Sequence, residues 1–60
     1  MLSIGQQIKT ARKLIGLTQT ELANKAGMTR QQIARIENDK NSPLYCNLLK
    51  ISKALNVIIS

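Results

Sequence analysis

Sixty residues, with nine Lys/Arg, three Asp/Glu, no His and one Cys, make one domain at most (1–60) and exclude an internal disulfide, a Cys/His zinc set and His-based acid–base chemistry. The net charge of +6 favours a polyanionic partner, nucleic acid first, over the plainer alternative of a solvated surface that is merely basic. Tyr45 is the only aromatic residue, which leaves no platform for stacking single-stranded bases.

A chain this short buries only about 60% of the surface its unfolded form exposes, so each local stabilising device counts. The opening MLSIG lacks a basic segment followed by an apolar run, so no signal peptide is expected. No stretch approaches the ~20 apolar residues of a membrane span. A lone cysteine fits a reducing cytosol, so the expected location is cytoplasmic, bacterial or phage, beside the nucleoid. No metal and no cofactor are expected, and the composition argues against an enzyme.

The first helix is expected over residues 4–15. Ser3 is its N-cap, with Gln6 completing a capping box. Ile4, Ile8, Ala11 and Ile15 form an apolar stripe, with Gln7, Lys9, Arg12 and Lys13 off it. Gly16 suits the left-handed position that ends a helix. The second helix is expected over 19–25, capped by Thr18, with Leu22, Ala23 and Ala26 inside. Gly27 turns the chain, and Met28 precedes the next cap as a hydrophobic staple against Ile33 or a neighbour. The third helix is expected over 30–37, capped by Thr29, with Ile33 and Ile36 inside and Ala34 at the edge.

Residues 38–43, NDKNSP, are dense in turn formers. A fourth helix is expected from Pro43 or Leu44 to about Leu55, with Leu48, Ile51 and Leu55 on one face and Leu49 and Ala54 beside it. Asn56 is a fair terminator. No strand is needed in the body of the domain, so the fold class is all-α. Val57, Ile58 and Ile59 suit a short strand better than a helix. Either two copies pair these tails, or Val57 folds back on the core and the rest frays, or a further segment follows.

The informative stretch is LTQTELANKAGMTRQQIARIEN, residues 17–38. It holds two capping boxes, Thr18 with Glu21 and Thr29 with Gln32, and a glycine corner between two short helices. That is the pattern of a helix-turn-helix. Helices this short are unstable alone, so each cap, at about 1 kcal/mol, matters. Arg30, Gln31, Gln32 and Arg35 fall on the outer face or leading end of the second motif helix. Arg donates twice to guanine O6 and N7, and Gln pairs bidentately with adenine N6 and N7. The leading end of that helix is the part that enters a major groove. The plainer reading is a solvated helix face, since Gln and Arg are good helix formers.

These residues, with LLKISKALNV further on, give the chain from about Ile4 to Val57 a resemblance to the phage-repressor, Cro and XRE-type helix-turn-helix family. The resemblance implies a lambda-repressor-like bundle of four or five short helices that binds a two-fold operator in double-stranded DNA as a homodimer, usually as a repressor. By the same resemblance Gln19 touches a phosphate. Thr29, Arg30, Gln31, Gln32 and Arg35 match positions at base edges or the adjoining backbone. Asn38, Lys40 and Asn41 match the loop gripping the opposite backbone, and Arg12 with Glu37 match a family ion pair. Leu44 departs from the pattern, standing where a small polar cap is usual, so Ser42 is the alternative cap; Cys46 stands where acidic residues are common and reads as a bystander. Tyr45 matches an apolar, core position. The rival class is a protein-interaction module, as in the antitoxin partner of a toxin, with a protein rather than DNA as its main partner.

Overall fold

The computed structural model describes residues 2–40 and 45–56, the side chain of Tyr45 excepted. Four helices occupy them: α1 (Ile4–Leu14), α2 (Gln19–Ala26), α3 (Arg30–Glu37) and α4 (Tyr45–Leu55), with no strand among the described residues. The architecture is the all-α helix-turn-helix bundle that the caps and periodicity imply.

Local chemistry starts each of the first three helices in the same way. Ser3 Oγ accepts from the Gln6 N–H at 3.1 Å, and the Gln6 amide oxygen accepts from the Ser3 N–H at 3.3 Å. Thr18 and Glu21 repeat this reciprocal pair at 3.1 and 2.9 Å, as do Thr29 and Gln32. Each box satisfies two amides that a helix start otherwise leaves without intrahelical partners.

The ends also follow one plan. Gly16 (φ 77°) and Gly27 (φ 69°) adopt the left-handed conformation after α1 and α2. The Leu17 N–H then reaches back to the Arg12 carbonyl at 3.0 Å, and the Met28 N–H to the Ala23 carbonyl at 2.8 Å. After α3 the same closure recurs, Lys40 N–H to Arg35 carbonyl at 3.0 Å, but the left-handed residue is Asp39 (φ 58°). Asn56 (φ 56°) closes α4.

Ile8, Leu22, Ile33 and Ile51, one from each helix, are completely buried and form the centre of the core. Ala23, Ala26, Ile36 and Leu55 complete it, with Ala11, Leu17, Met28, Leu48 and Ala54 packed around them. α2 packs on α3 and α4, and α1 packs on α3 and α4. Leu49, expected beside the α4 stripe, is instead exposed.

The α1 stripe needs correction. The helix ends at Leu14, Ile15 lies past its last turn, and both Ile4 and Ile15 are exposed. The buried face is Gly5, Ile8 and Arg12. It is rotated from the expected stripe because α1 must bring Arg12 to a carboxylate on α3 and because its first turn touches α3 backbone. A Cβ on Gly5 would stand 2.3 Å from the Ile36 carbonyl oxygen and 2.8 Å from that of Glu37. Glycine permits that approach.

The expectations for Asn41, Ser42, Pro43 and Leu44, for the Tyr45 side chain, and for the 57–60 tail lie outside the described residues. Cys46 is exposed. Among the described residues, no helix is long and apolar enough to cross a membrane.

Candidate nucleic-acid interface

The site is built on α3. Its inner residues, Ile33 and Ile36, are locked in the core, which leaves Gln31, Gln32 and Arg35 exposed on the outer side and Arg30 exposed at the leading end. Thr29, Gln31, Gln32 and Arg35 together line a shallow depression of about 410 Å³. Arg30 is exposed at the first turn, outside that lining. Asn38 and Lys40 are exposed at the far end of α3.

Two of these side chains carry structural duties. The Gln32 amide oxygen accepts from the Thr29 N–H at 2.9 Å, and Thr29 Oγ1 accepts from the Gln32 N–H at 3.1 Å. A bidentate Gln–adenine pair uses the amide oxygen as well as the nitrogen. Gln31 has no capping role and offers both groups more readily. Gln19 is similarly committed: its Nε2 donates to Glu37 Oε1 at 3.2 Å. One amide N–H of Gln19 is therefore spent inside the protein.

Glu37 is the centre of a buried polar network. Arg12 Nε donates to its Oε2 at 2.7 Å and Arg12 Nη2 to its Oε1 at 3.1 Å, a two-pronged pair between α1 and α3. Arg12 Nη1 also donates to the Leu17 carbonyl at 2.7 Å, tying in the turn between α1 and α2. With Gln19 added, three helices and a turn converge on one carboxylate. Among the described residues no buried side-chain nitrogen or oxygen lacks a partner.

The other acidic side chains are also engaged. Glu21 accepts from the Thr18 N–H at 2.9 Å. The hydrogen bonds from the Thr18 backbone and hydroxyl hold its carboxyl below the usual carboxylate range, with a smaller contribution from Lys25. Asp39 Oδ2 accepts from Ser3 Oγ at 2.8 Å and its Oδ1 from the Gly5 N–H at 3.3 Å. Every Lys and Arg except Arg12 is exposed. All three carboxylates accept hydrogen bonds from within the protein, Glu37 in the core and Glu21 and Asp39 at the surface, while eight of the nine cations face solvent, so the surface field is net positive.

Sequence reasoning did not foresee the Ser3–Gly5–Asp39 contact. Asp39 reads only as a turn former, and Gly5 as an ordinary helical residue. One signal was available: Asp39 follows α3 as Gly16 and Gly27 follow α1 and α2, so a left-handed residue was due there.

The comparisons agree with this geometry. A helix-turn-helix family model, HTH_3, matches residues 8–58. The immunity repressor protein of Bacillus phage phi105 is 39% identical over 59 residues, covering 98% of this chain but 41% of that protein. The chain therefore spans less than half the length of that relative. The P22 c2 repressor, solved in complex with a synthetic operator, superposes with a TM-score of 0.90 at 29% identity, covering 97% of this chain and 88% of that one. The N-terminal DNA-binding domain of SinR from Bacillus subtilis superposes at 0.86 with 39% identity, covering 92% and 81%. With its capped helices, its glycine corner and its match over most of its length, the chain belongs to the HTH_3 helix-turn-helix family.

Proposed function

We propose that this chain binds double-stranded DNA sequence-specifically as the reading domain of a transcriptional regulator, a repressor in the first instance, with α3 in the major groove. The observation that carries the proposal is the separation of charges and roles around α3. Its outer face and leading end offer Gln31, Gln32, Arg35 and Arg30, while Glu37 is buried against Arg12 and Glu21 and Asp39 each accept hydrogen bonds from the protein's own donors. Of the three carboxylates, the one on α3 itself, Glu37, is neutralised in the core by Arg12.

In this reading Gln31 pairs with a base edge through its uncommitted amide, and Arg30 and Arg35 reach guanine or the adjoining phosphates. Thr29 and Gln32 shape the leading end of α3, with the Gln32 NH2 left to donate. Gln19 gives its remaining N–H to a phosphate while Glu37 holds its orientation. Asn38, Lys40 and Asn41 grip the backbone beyond α3. Phosphate contacts set register and base contacts set sequence. Two copies of the chain occupy a two-fold operator, since a helix-turn-helix pair matches half-sites about one helical turn apart. The repressor and regulator names of its relatives support the DNA reading, and the antitoxin-type alternative has no comparable support.

Selection of bound sequences from a random duplex library at near-physiological salt tests it. The expected result is a two-fold motif whose half-site spacing reports the dimer geometry. Weak, salt-sensitive binding with no recovered motif would overturn it.

A further inference from the structure

Asp39 is an unusual residue for its place. It lies between Asn38 and Lys40, at the edge of the face proposed to meet DNA, and carries the wrong charge for that role. It also adopts a left-handed backbone (φ 58°) where the equivalent closures after α1 and α2 use glycine. A non-glycine residue holds that conformation at some cost, although Asp tolerates it better than most. Its carboxylate supplies the compensation. Oδ2 accepts from Ser3 Oγ at 2.8 Å and Oδ1 from the Gly5 N–H at 3.3 Å, across 36 and 34 positions of sequence. Those donors are the N-cap hydroxyl and a first-turn amide of α1, where the helix dipole also favours a carboxylate. The glycine at position 5 lets α1 approach the end of α3 closely enough for this contact.

We propose that Asp39 is a positioning residue for DNA binding: it rivets the segment after α3 to the start of α1 and thereby fixes where Lys40 presents its ammonium to a phosphate. The Lys40 amide is already closed onto the Arg35 carbonyl at 3.0 Å, so its backbone has one direction of departure from α3. The clamp holds that direction by binding the Asp39 carboxylate to Ser3 and Gly5. This inference rests on the proposed contact between Lys40 and a phosphate.

The test uses Asp39→Gly, which keeps the left-handed backbone without strain and removes both hydrogen bonds. Affinity for the selected operator and for random duplex is measured against salt, well below the melting temperature of every variant. The expected result is weaker binding to both duplexes and a salt slope smaller by about 0.9, the share of one phosphate on B-DNA. Lys40→Ala is expected to do the same, and the double variant to do no more than either alone. A lowered Tm with unchanged affinity and slope would make the clamp purely structural and overturn the proposal. Tighter binding by Asp39→Gly would show plain charge repulsion and overturn it too, as would additive losses in the double variant. If Lys40→Ala alone left binding and slope unchanged, the phosphate role of Lys40 would fall, and the inference with it. If the unaltered chain bound no duplex, the DNA reading itself would be at fault.

Discussion

Arg12 and Glu37, 25 residues apart, meet in a buried two-pronged ion pair at 2.7 and 3.1 Å. Neither charge is left incomplete. Glu37 receives a third hydrogen bond from Gln19, and Arg12 spends its remaining reach on the Leu17 carbonyl. The pair therefore fixes the angle at which α1, α2 and α3 converge, which is the angle that presents the outer face of α3. Removing one partner leaves the other buried and uncompensated. Arg12→Ala or Glu37→Ala is expected to destabilise the chain by about 3–5 kcal/mol, read from urea unfolding. Replacing both by apolar residues of similar volume is expected to cost much less than the sum. Equal and additive losses would mean that the pair is solvated and carries little.

Gly5 offers a sharper test of how closely α1 approaches α3. An added methyl would lie 2.3 Å from the Ile36 carbonyl oxygen and 2.6 Å from Asp39 Oδ1. Alanine normally favours a helix over glycine, so helix propensity and packing point in opposite directions. Packing is expected to win, and Gly5→Ala to lower stability by about 1–3 kcal/mol in denaturant titration. A gain in stability would show that the two backbones can separate freely.

The three capping boxes differ in one testable respect. Those of α1 and α3 use Gln6 and Gln32, while that of α2 uses Glu21. Glu21 has its pKa lowered in the fold, chiefly by hydrogen bonds from Thr18. A lowered folded pKa contributes stability that is present above the unfolded value and is lost as pH falls through the folded one. Acidification below the normal carboxylate range should therefore loosen the start of α2. Carbon-detected NMR titration should place the Glu21 midpoint below that of a model peptide. Glu21→Gln should remove its share of the acid dependence while keeping a box of the kind the other two helices use. An unchanged acid profile in that variant would assign the dependence to other groups.

The proposed division of labour on α3 predicts two classes of variant. Arg30→Ala and Gln31→Ala should each weaken binding to the selected operator by about 1–3 kcal/mol and relax preference at one base position. Lys40→Ala should weaken operator and random duplex alike, with a shallower salt slope. Fluorescence anisotropy on both duplexes distinguishes the classes. Equal losses on both duplexes for Arg30→Ala would move that residue from base reading to the backbone.

The helix starts were legible because a capping box is chemistry within four residues: hydroxyl, amide and partner sit on one short stretch of chain. The ends of α1 and α2 were legible at Gly16 and Gly27, since a left-handed backbone selects glycine. The core of α2 and α3 was legible too, because Leu22, Ala23, Ala26, Ile33 and Ile36 recur at helical spacing. Arg12 and Glu37 entered only through resemblance, not periodicity, and by periodicity alone Arg12 belongs outside.

What tertiary structure decided is which face of α1 turns inward and what the polar side chains do. Ile4 and Ile15 fit the stripe and are exposed, while Gly5 and Arg12 are buried. Apolar spacing ranks faces by hydrophobicity, but it cannot see a carboxylate waiting on another helix or a carbonyl that only glycine can approach. Gln19 likewise looks free in sequence, and its hydrogen bond to Glu37 in the folded chain commits one of its N–H groups. The sequence by itself determined the local units, because caps, corners and helical stripes act over a few residues. Their mutual setting, and with it the Asp39 clamp, depended on contacts between residues 25 to 36 positions apart, which exist only once the helices have packed.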